Sequence, residues 1–207
     1  MATRVIFVRH GATDLNAQGV IQGTAPAPLN ELGRRQAEAA GRALKVYAPA
    51  ALYSSPHVRA LETAEIMGGI LKLPVRQSTR LREQGLGEWE GREWSEIKQH
   101  DPLIAQRRDQ EGWWFCPPGG EPRLRVRHRM LAFIQEMQQN HPECTVVAVT
   151  HAGALYFLVH ALIDKTPAGR THIRTHNGGF SVVQADGERV DLLSLNEGAH
   201  LQGLSME

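Results

Sequence analysis

The sequence predicts an α/β fold, a three-layer α/β/α sandwich built on a mostly parallel central sheet. Three observations predict it. Two apolar runs, Val5-Ile6-Phe7-Val8 and Val146-Val147-Ala148-Val149, have the length and β-branched content of strands buried on both faces. Strand-like and helix-like patterns alternate along the chain, as βαβ units require. Both apolar runs then deliver a histidine with glycine close behind, in Arg9-His10-Gly11 and in His151-Ala152-Gly153. A buried strand has no packing reason to finish that way. The carboxyl ends of strands in an open α/β sheet are, however, where ligands bind.

Taken in order, the first strand ends at Arg9, and Gly11 lets the backbone turn sharply and approach a ligand closely. A loop follows from Asp14 to Leu29, marked by Gly19, Gly23, Pro26 and Pro28. Asn30 caps a helix reaching about Lys45, with Leu32, Ala37, Ala40 and Leu44 near helical spacing. Ala50 to Ser55 reads as a second short strand, and Pro56 suits the first turn of the next helix. That helix carries Val58, Leu61, Ala64, Ile66 and Ile70 and ends near Gly68-Gly69 or shortly after. Pro74-Val75-Arg76 is weakly strand-like.

From Leu81 to about Arg129 the regular pattern breaks. Trp89, Trp94, Trp113, Trp114, Pro117-Pro118 and Gly119-Gly120 sit among short helical pieces such as Trp94 to His100. This reads as an inserted lid or substrate region over about 84–128, with too few aliphatics for a core of its own. A helix from about Arg123 to Asn140 restores regular structure, with Val126, Met130, Phe133, Ile134 and Met137 on one face. The strand from Cys144 to Thr150 follows, then a helix from Ala154 to Ile163. Phe180 to Ala185 and Arg189 to Leu195 flank Asp186-Gly187, a hairpin signal.

A chain of 207 residues supports one sizeable core, so residues 1–207 read as a single domain. A net charge of +1 provides no overall field for nucleic acid or an anionic membrane, and any anion site must be local. Cys116 and Cys144 have neither metal-ligand spacing nor disulfide density, which fits a reducing cytoplasm. There is no signal-peptide apolar region and no apolar run of membrane-spanning length. The histidines His57, His100, His128, His141, His160, His172, His176 and His200 show no compact metal-ligand spacing, so no metal is expected. An edge strand or the terminal hairpin could pair two copies into a homodimer.

Arg59 lies one turn into the helix after the second strand, near the sheet edge that carries His10. A solvated helix arginine is the plain alternative. Two guanidiniums and a helix N-terminus converging on one place, however, describe a phosphate site, because guanidinium forks match phosphate oxygens.

Five segments carry a family resemblance: Arg9-His10-Gly11-Ala12-Thr13, Ser54 to Ala64, Leu81-Arg82-Glu83 with Gly87 to Gly91, Gly119-Gly120-Glu121, and Thr150-His151-Ala152-Gly153. In this order they resemble the histidine phosphatase superfamily, with its phosphoglycerate-mutase-like fold, and within it the short, broad-specificity phosphatase branch. The resemblance spans nearly the whole chain, to the Asn196-to-Leu201 tail. It implies a cofactor-independent phosphomonoesterase acting on small phosphorylated metabolites. His10 would be the nucleophile, forming a phosphohistidine, with a backbone carbonyl holding the proton on its other nitrogen. Arg9, Arg59 and His151 would cradle the phosphate, with Asn16 as a neutral donor. Glu83 would protonate the leaving alkoxide. Ala12, Ala152 and Pro122 depart from common family residues without touching that cradle.

Gln22 and the tryptophan-rich insertion are candidates for the substrate pocket, although core packing is the favoured reading of each tryptophan. Glu88 and Glu90 read as solvated or structural carboxylates. Arg107-Arg108 reads as a solvated helix pair, with contact to a carboxylate or second phosphate as the alternative. Two further readings stay open. One is a 2,3-bisphosphoglycerate-dependent phosphoglycerate mutase, whose relatives carry a longer basic segment here; the other is a non-catalytic phospho-ligand binder.

Overall fold

A computed structural model describes residues 2–163 and 173–204. Strands β1 (Thr3–Arg9), β2 (Ala51–Ser54), β3 (Val75–Gln77) and β4 (Thr145–Thr150) run parallel. The hairpin of β5 (Phe180–Asp186) and β6 (Arg189–Glu197) joins antiparallel beside β1, giving the order β3-β2-β4-β1-β5-β6. Side chains alternate across this sheet, so each strand feeds two cores. Val5, Phe7, Val146 and Ala148 pack on one face under helices α6 (Arg123–Asn140) and α7 (Ala152–Leu162). Ile6, Val8, Val147 and Val149 pack on the other under α2 (Glu31–Leu44) and α3 (Val58–Leu71). Three layers result, and residues 5 to 8 of β1 are fully buried, as a continuous apolar run in a doubly covered strand should be.

Register positions the chemistry. β1 and β4 pair from Arg4 with Thr145 to Arg9 with Thr150, so His10 and His151 leave the sheet at one level. The ladder continues one step further, through the His10 amide to the Thr150 carbonyl and the Ser55 amide to that of Val149.

The element boundaries and the insertion differ from the sequence reading in four places. The Asp14-to-Leu29 loop contains a one-turn helix, α1 (Asp14–Ala17), because Thr13 and Asn16 cap each other reciprocally. Pro56 precedes α3 rather than sitting in its first turn, and His57 is the residue at the cap. The last long helix, α7, starts two residues early at Ala152, which makes His151 its cap. The insertion, with helices α4 (Trp94–His100) and α5 (Ile104–Glu111), does assemble a small core. Trp89, Ile97, Ile104 and Phe115 are buried together, with Ile21, Leu86 and Trp94 against them.

Gly11 is required for another reason than expected. A Cβ there would lie 2.3 Å from the Gly33 carbonyl oxygen, so glycine lets the β1 tip pack against the first turn of α2. The close approach seen here is to protein backbone.

Candidate active site

His10 is 3% exposed at the tip of β1. Its Nδ1 lies 2.7 Å from the Gly11 carbonyl, which can only accept, so the proton stands on Nδ1. Nε2 is then a lone pair. Arg59 agrees with this, since its Nε, which can only donate, points at His10 Nε2 across 3.2 Å. Arg59 is 1% exposed and is held by the Gly23 carbonyl at 2.7 Å and the Ala25 carbonyl at 3.1 Å. The loop before α2 therefore aims the guanidinium at the imidazole.

His151 lies behind this pair, fully buried, with its ring 5.1 Å from that of His10. Ser55 Oγ accepts from the His57 amide and lies 2.8 Å from His151 Nε2. Ser55 thus engages Nε2, while Nδ1 is a buried atom with no protein partner. His57 completes a row of three imidazoles, its ring 4.9 Å from His151.

None of the three imidazoles holds a charge at neutral pH. Burial pushes His10 well below the ordinary histidine value, and Arg59 and Arg9 push it further. Burial does the same for His151, with His10 and Arg59 adding to it. His57 is pushed down to about 4 by burial and by Arg59, Arg82 and Arg129. A histidine neutral in the fold but charged when unfolded makes the unfolded state the greater proton binder. Stability from these groups is therefore complete above about pH 6.5 and lost as pH falls below it. The urea midpoint should drop between about pH 7.5 and pH 5, before most carboxylates titrate; an unchanged midpoint over that interval would contradict the assignment.

Glu83 reaches the same place from the residue just before the insertion. Its carboxyl oxygens accept from the Gly153 and Ala154 amides at 3.0 and 2.9 Å, and from the Gln84 amide at 2.9 Å. A Cβ on Gly153 would meet Glu83 Oε1 at 2.6 Å, so glycine in the second histidine motif makes room for the acid. Arg129 fixes the chain carrying it, donating to the carbonyls of Arg80, Arg82 and Glu83 and forming a two-pronged pair with Glu121. The Gly119-Gly120-Glu121 motif thus acts on Glu83 through Arg129.

Arg9, His10, Asn16, Gln22, Arg59 and Glu83 line one cavity of about 470 Å³. Of the seven residues singled out from sequence, only His151 is not on its wall. Arg9 donates to the Thr175 carbonyl. Asn16 Oδ1 accepts from the Thr13 amide, the Thr13 hydroxyl and Asn177 Nδ2, which leaves its own amide nitrogen to donate. Gln22 is 9% exposed and its Oε1 is buried without a protein partner.

Sequence reasoning missed His57, Ser55, Asn177 and Arg129. Asn177 donates to the His10 carbonyl as well as to Asn16, and the only signal for it was the adjacent Gly178-Gly179. No tryptophan lines the main cavity, although Trp89 and Trp94 border a smaller adjoining hollow. Trp113 packs on the main core and Trp114 is 76% exposed. Arg107 pairs with Asp101, but Arg108 stands half-buried on the cavity wall. Glu90 is structural, accepting from the Leu86 amide and the Thr24 hydroxyl. Among the described residues no group of three or more His, Cys, Asp or Glu could hold a metal ion; His172 lies outside them.

Residues 5–198 match the histidine phosphatase superfamily (branch 1). The chain is 34% identical over 194 residues to the glucosyl-3-phosphoglycerate phosphatase of Mycobacterium tuberculosis, covering 90% of this chain and 86% of that one. A solved structure of the mycobacterial enzyme with inorganic phosphate superposes with a TM-score of 0.81 at 32% identity, over 95% of this chain and 98% of that one. The solved structure of YhfR from Bacillus stearothermophilus gives a TM-score of 0.87 at 33% identity, covering 96% of this chain and 99% of that one. The metal-independent phosphoserine phosphatase of Arabidopsis thaliana is 29% identical, over 98% of this chain and 84% of its own length.

Proposed function

The chain belongs to the histidine phosphatase superfamily, and on that premise we propose that it is a phosphomonoesterase that hydrolyses small phosphorylated metabolites through a phosphohistidine on His10. The observation that carries this reading is the His10 imidazole: proton held on Nδ1 by the Gly11 carbonyl, an unprotonated Nε2 facing Arg59 Nε, and Arg9 on the same cavity wall. A buried, neutral imidazole is a competent nucleophile at pH 7, and the guanidiniums lower its repulsion from a phosphate dianion.

In the proposed reaction Arg9, Arg59, His151 Nδ1 and the Asn16 amide hold the phosphoryl oxygens. Nε2 of His10 attacks phosphorus as the bond to the leaving oxygen breaks, and Glu83 gives that oxygen a proton. Water then attacks the phosphohistidine, Glu83 takes its proton, and inorganic phosphate leaves with His10 restored. Gln22 is proposed as a substrate contact, since its buried Oε1 needs a donor from whatever fills the cavity. Residues 84–128 are proposed as a wall of the same domain, a reading supported by Leu86 and Arg108 sharing the cavity with His10. The cytoplasm is the proposed compartment, on the strength of the free thiols of Cys116 and Cys144. Among the described residues no helix is long and apolar enough to cross a membrane.

Hydrolysis is preferred to mutase chemistry because the similar proteins are named phosphatases. Retention of both a nucleophile and an acid argues against a mere binder. Incubation with 3-phosphoglycerate and catalytic 2,3-bisphosphoglycerate should release free phosphate; rapid 2-phosphoglycerate formation without it would overturn the preference. Glu83→Gln tests the acid. Alkyl phosphates, whose leaving oxygen needs a proton, should slow by about 100-fold or more, against less than about tenfold for p-nitrophenyl phosphate. Equal slowing of both substrates would remove the acid role.

A further inference from the structure

Resting on the phosphatase reading, we propose that Glu90 is a positioning residue: beyond bracing the insertion, it fixes the loop before α2, and through that loop it sets Arg59 on the nucleophile. Glu90 is not on the wall of the cavity that His10 lines. Its carboxylate instead joins two segments remote in sequence. Oε2 accepts from the Thr24 hydroxyl at 2.7 Å and Oε1 from the Leu86 amide at 2.9 Å. The carboxylate also lies against the Gly23 backbone, where a Cβ would overlap it. Gly23 has a φ of +50°, a conformation that favours glycine.

The residues on either side of Thr24 are the ones that hold Arg59. The Gly23 carbonyl accepts from its Nη2 and the Ala25 carbonyl from its Nη1, and with both prongs fixed Nε faces His10 Nε2. Because the guanidinium is a rigid plane, a shift of either carbonyl turns the whole group. The insertion grips this loop at two points. At one end Val20 bridges to Glu93, and Ile21 exchanges hydrogen bonds with Gly91 and Arg92. At the other, the bond from Thr24 to Glu90 is, among the described residues, the one hydrogen bond that joins residues 22–25 to the insertion. The Arg59-binding carbonyls are thus placed by Glu90.

Charge adds to this geometry. Arg59 is a buried cation, and Glu83 and Glu90 are the carboxylates that attract it. Such attraction offsets part of the cost of withdrawing a guanidinium from water. Glu83 gains and loses a proton in each proposed turnover, whereas Glu90 takes no part in that exchange. Its two oxygens are taken by Leu86 and Thr24, so the guanidinium N–H groups are left to the carbonyls, to His10 and to the phosphoryl oxygens. Glu90 therefore attracts Arg59 without competing for its donors.

Double-mutant cycles on p-nitrophenyl phosphate hydrolysis test this, with rates counted per folded molecule. Glu90→Ala should lower kcat/KM by about tenfold, the scale of effect that misplacing a catalytic group produces. In an Arg59→Lys background, where the fork is already gone, the same change should cost less than about twofold. Thr24→Val should give about a threefold loss that disappears once Glu90 is alanine, because both act through one hydrogen bond. Glu90→Gln, which keeps an acceptor without the charge, should recover part of the rate. A residue that braces the fold alone would lower the urea midpoint and leave these rates untouched. Native kcat/KM in folded Glu90→Ala, or equal losses in the two Arg59 backgrounds, overturns the proposal. If Glu90→Ala does not fold, Glu90→Gln and Thr24→Val are carried through the same Arg59 cycle, with the same two outcomes decisive. Hydrolysis by the native protein and its loss in His10→Ala test the phosphatase reading separately, so the two failures are told apart.

Discussion

Replacing His10 by alanine is expected to lower kcat for any phosphomonoester by about 10⁴-fold or more, the usual cost of deleting a catalytic nucleophile. No neighbour can substitute. His151 Nε2 is occupied by Ser55, and its ring is fully buried. Arg59 and Arg9 are donors only. The fold should survive the change, because His10 makes no contribution to either main apolar cluster and its ring hydrogen bonds are to Gly11 and Arg59. Losing them costs about 1–3 kcal/mol. Steady-state kinetics paired with circular dichroism read both quantities. Appreciable activity in a folded His10→Ala protein would remove the mechanism.

Arg59→Ala is expected to lose about 10³-fold or more in kcat/KM, since two effects fall on the same step. The charge facing the phosphoryl oxygens disappears, and so does the group that aligns His10 Nε2. Stability should change much less. The guanidinium makes hydrogen bonds to Gly23 and Ala25, but it is 1% exposed, and burial already lowers its proton affinity. Removing a desolvated charge offsets part of the loss of three hydrogen bonds, those to Gly23, Ala25 and His10, so the net cost should be about 1–2 kcal/mol. Arg59→Lys keeps the charge without the fork, and it should recover only part of the rate. A variant that unfolds while its residual folded fraction retains full activity would show Arg59 to be structural alone.

Much of this architecture was legible because it rests on periodicity and on misplaced chemistry. Val5 to Val8 and Val146 to Val149 admit no solvent-facing side, and their patterns alone place the sheet's centre. A cation and an imidazole have no business ending such a run unless a ligand meets them, which is why His10, Arg9 and His151 stood out. Arg59 followed from its place at the start of the helix after β2, where it is the second residue of α3.

What escaped was long-range or aperiodic. The buried cluster of Trp89, Ile97, Ile104 and Phe115 draws on pieces too short to show a repeat, so the insertion read as lacking a core. Asn177 reaches His10 and Asn16 from more than 160 residues away, and Arg129 reaches Glu83 across 46. Gly11 was recognised as special, yet its reason, the backbone of Gly33, lies in a different element. Arg108 was read as solvated because an arginine pair on a polar helix normally is; only the packing of α5 against the cavity distinguishes it from Arg107.

The central claim, that phosphorus is transferred first to His10 and then to water, is tested most directly by the stereochemistry of hydrolysis. A phosphate monoester made chiral at phosphorus with oxygen isotopes should yield inorganic phosphate of retained configuration, because two in-line displacements each invert the centre. Inversion would mean that water attacks the substrate directly, with His10 never bonded to phosphorus.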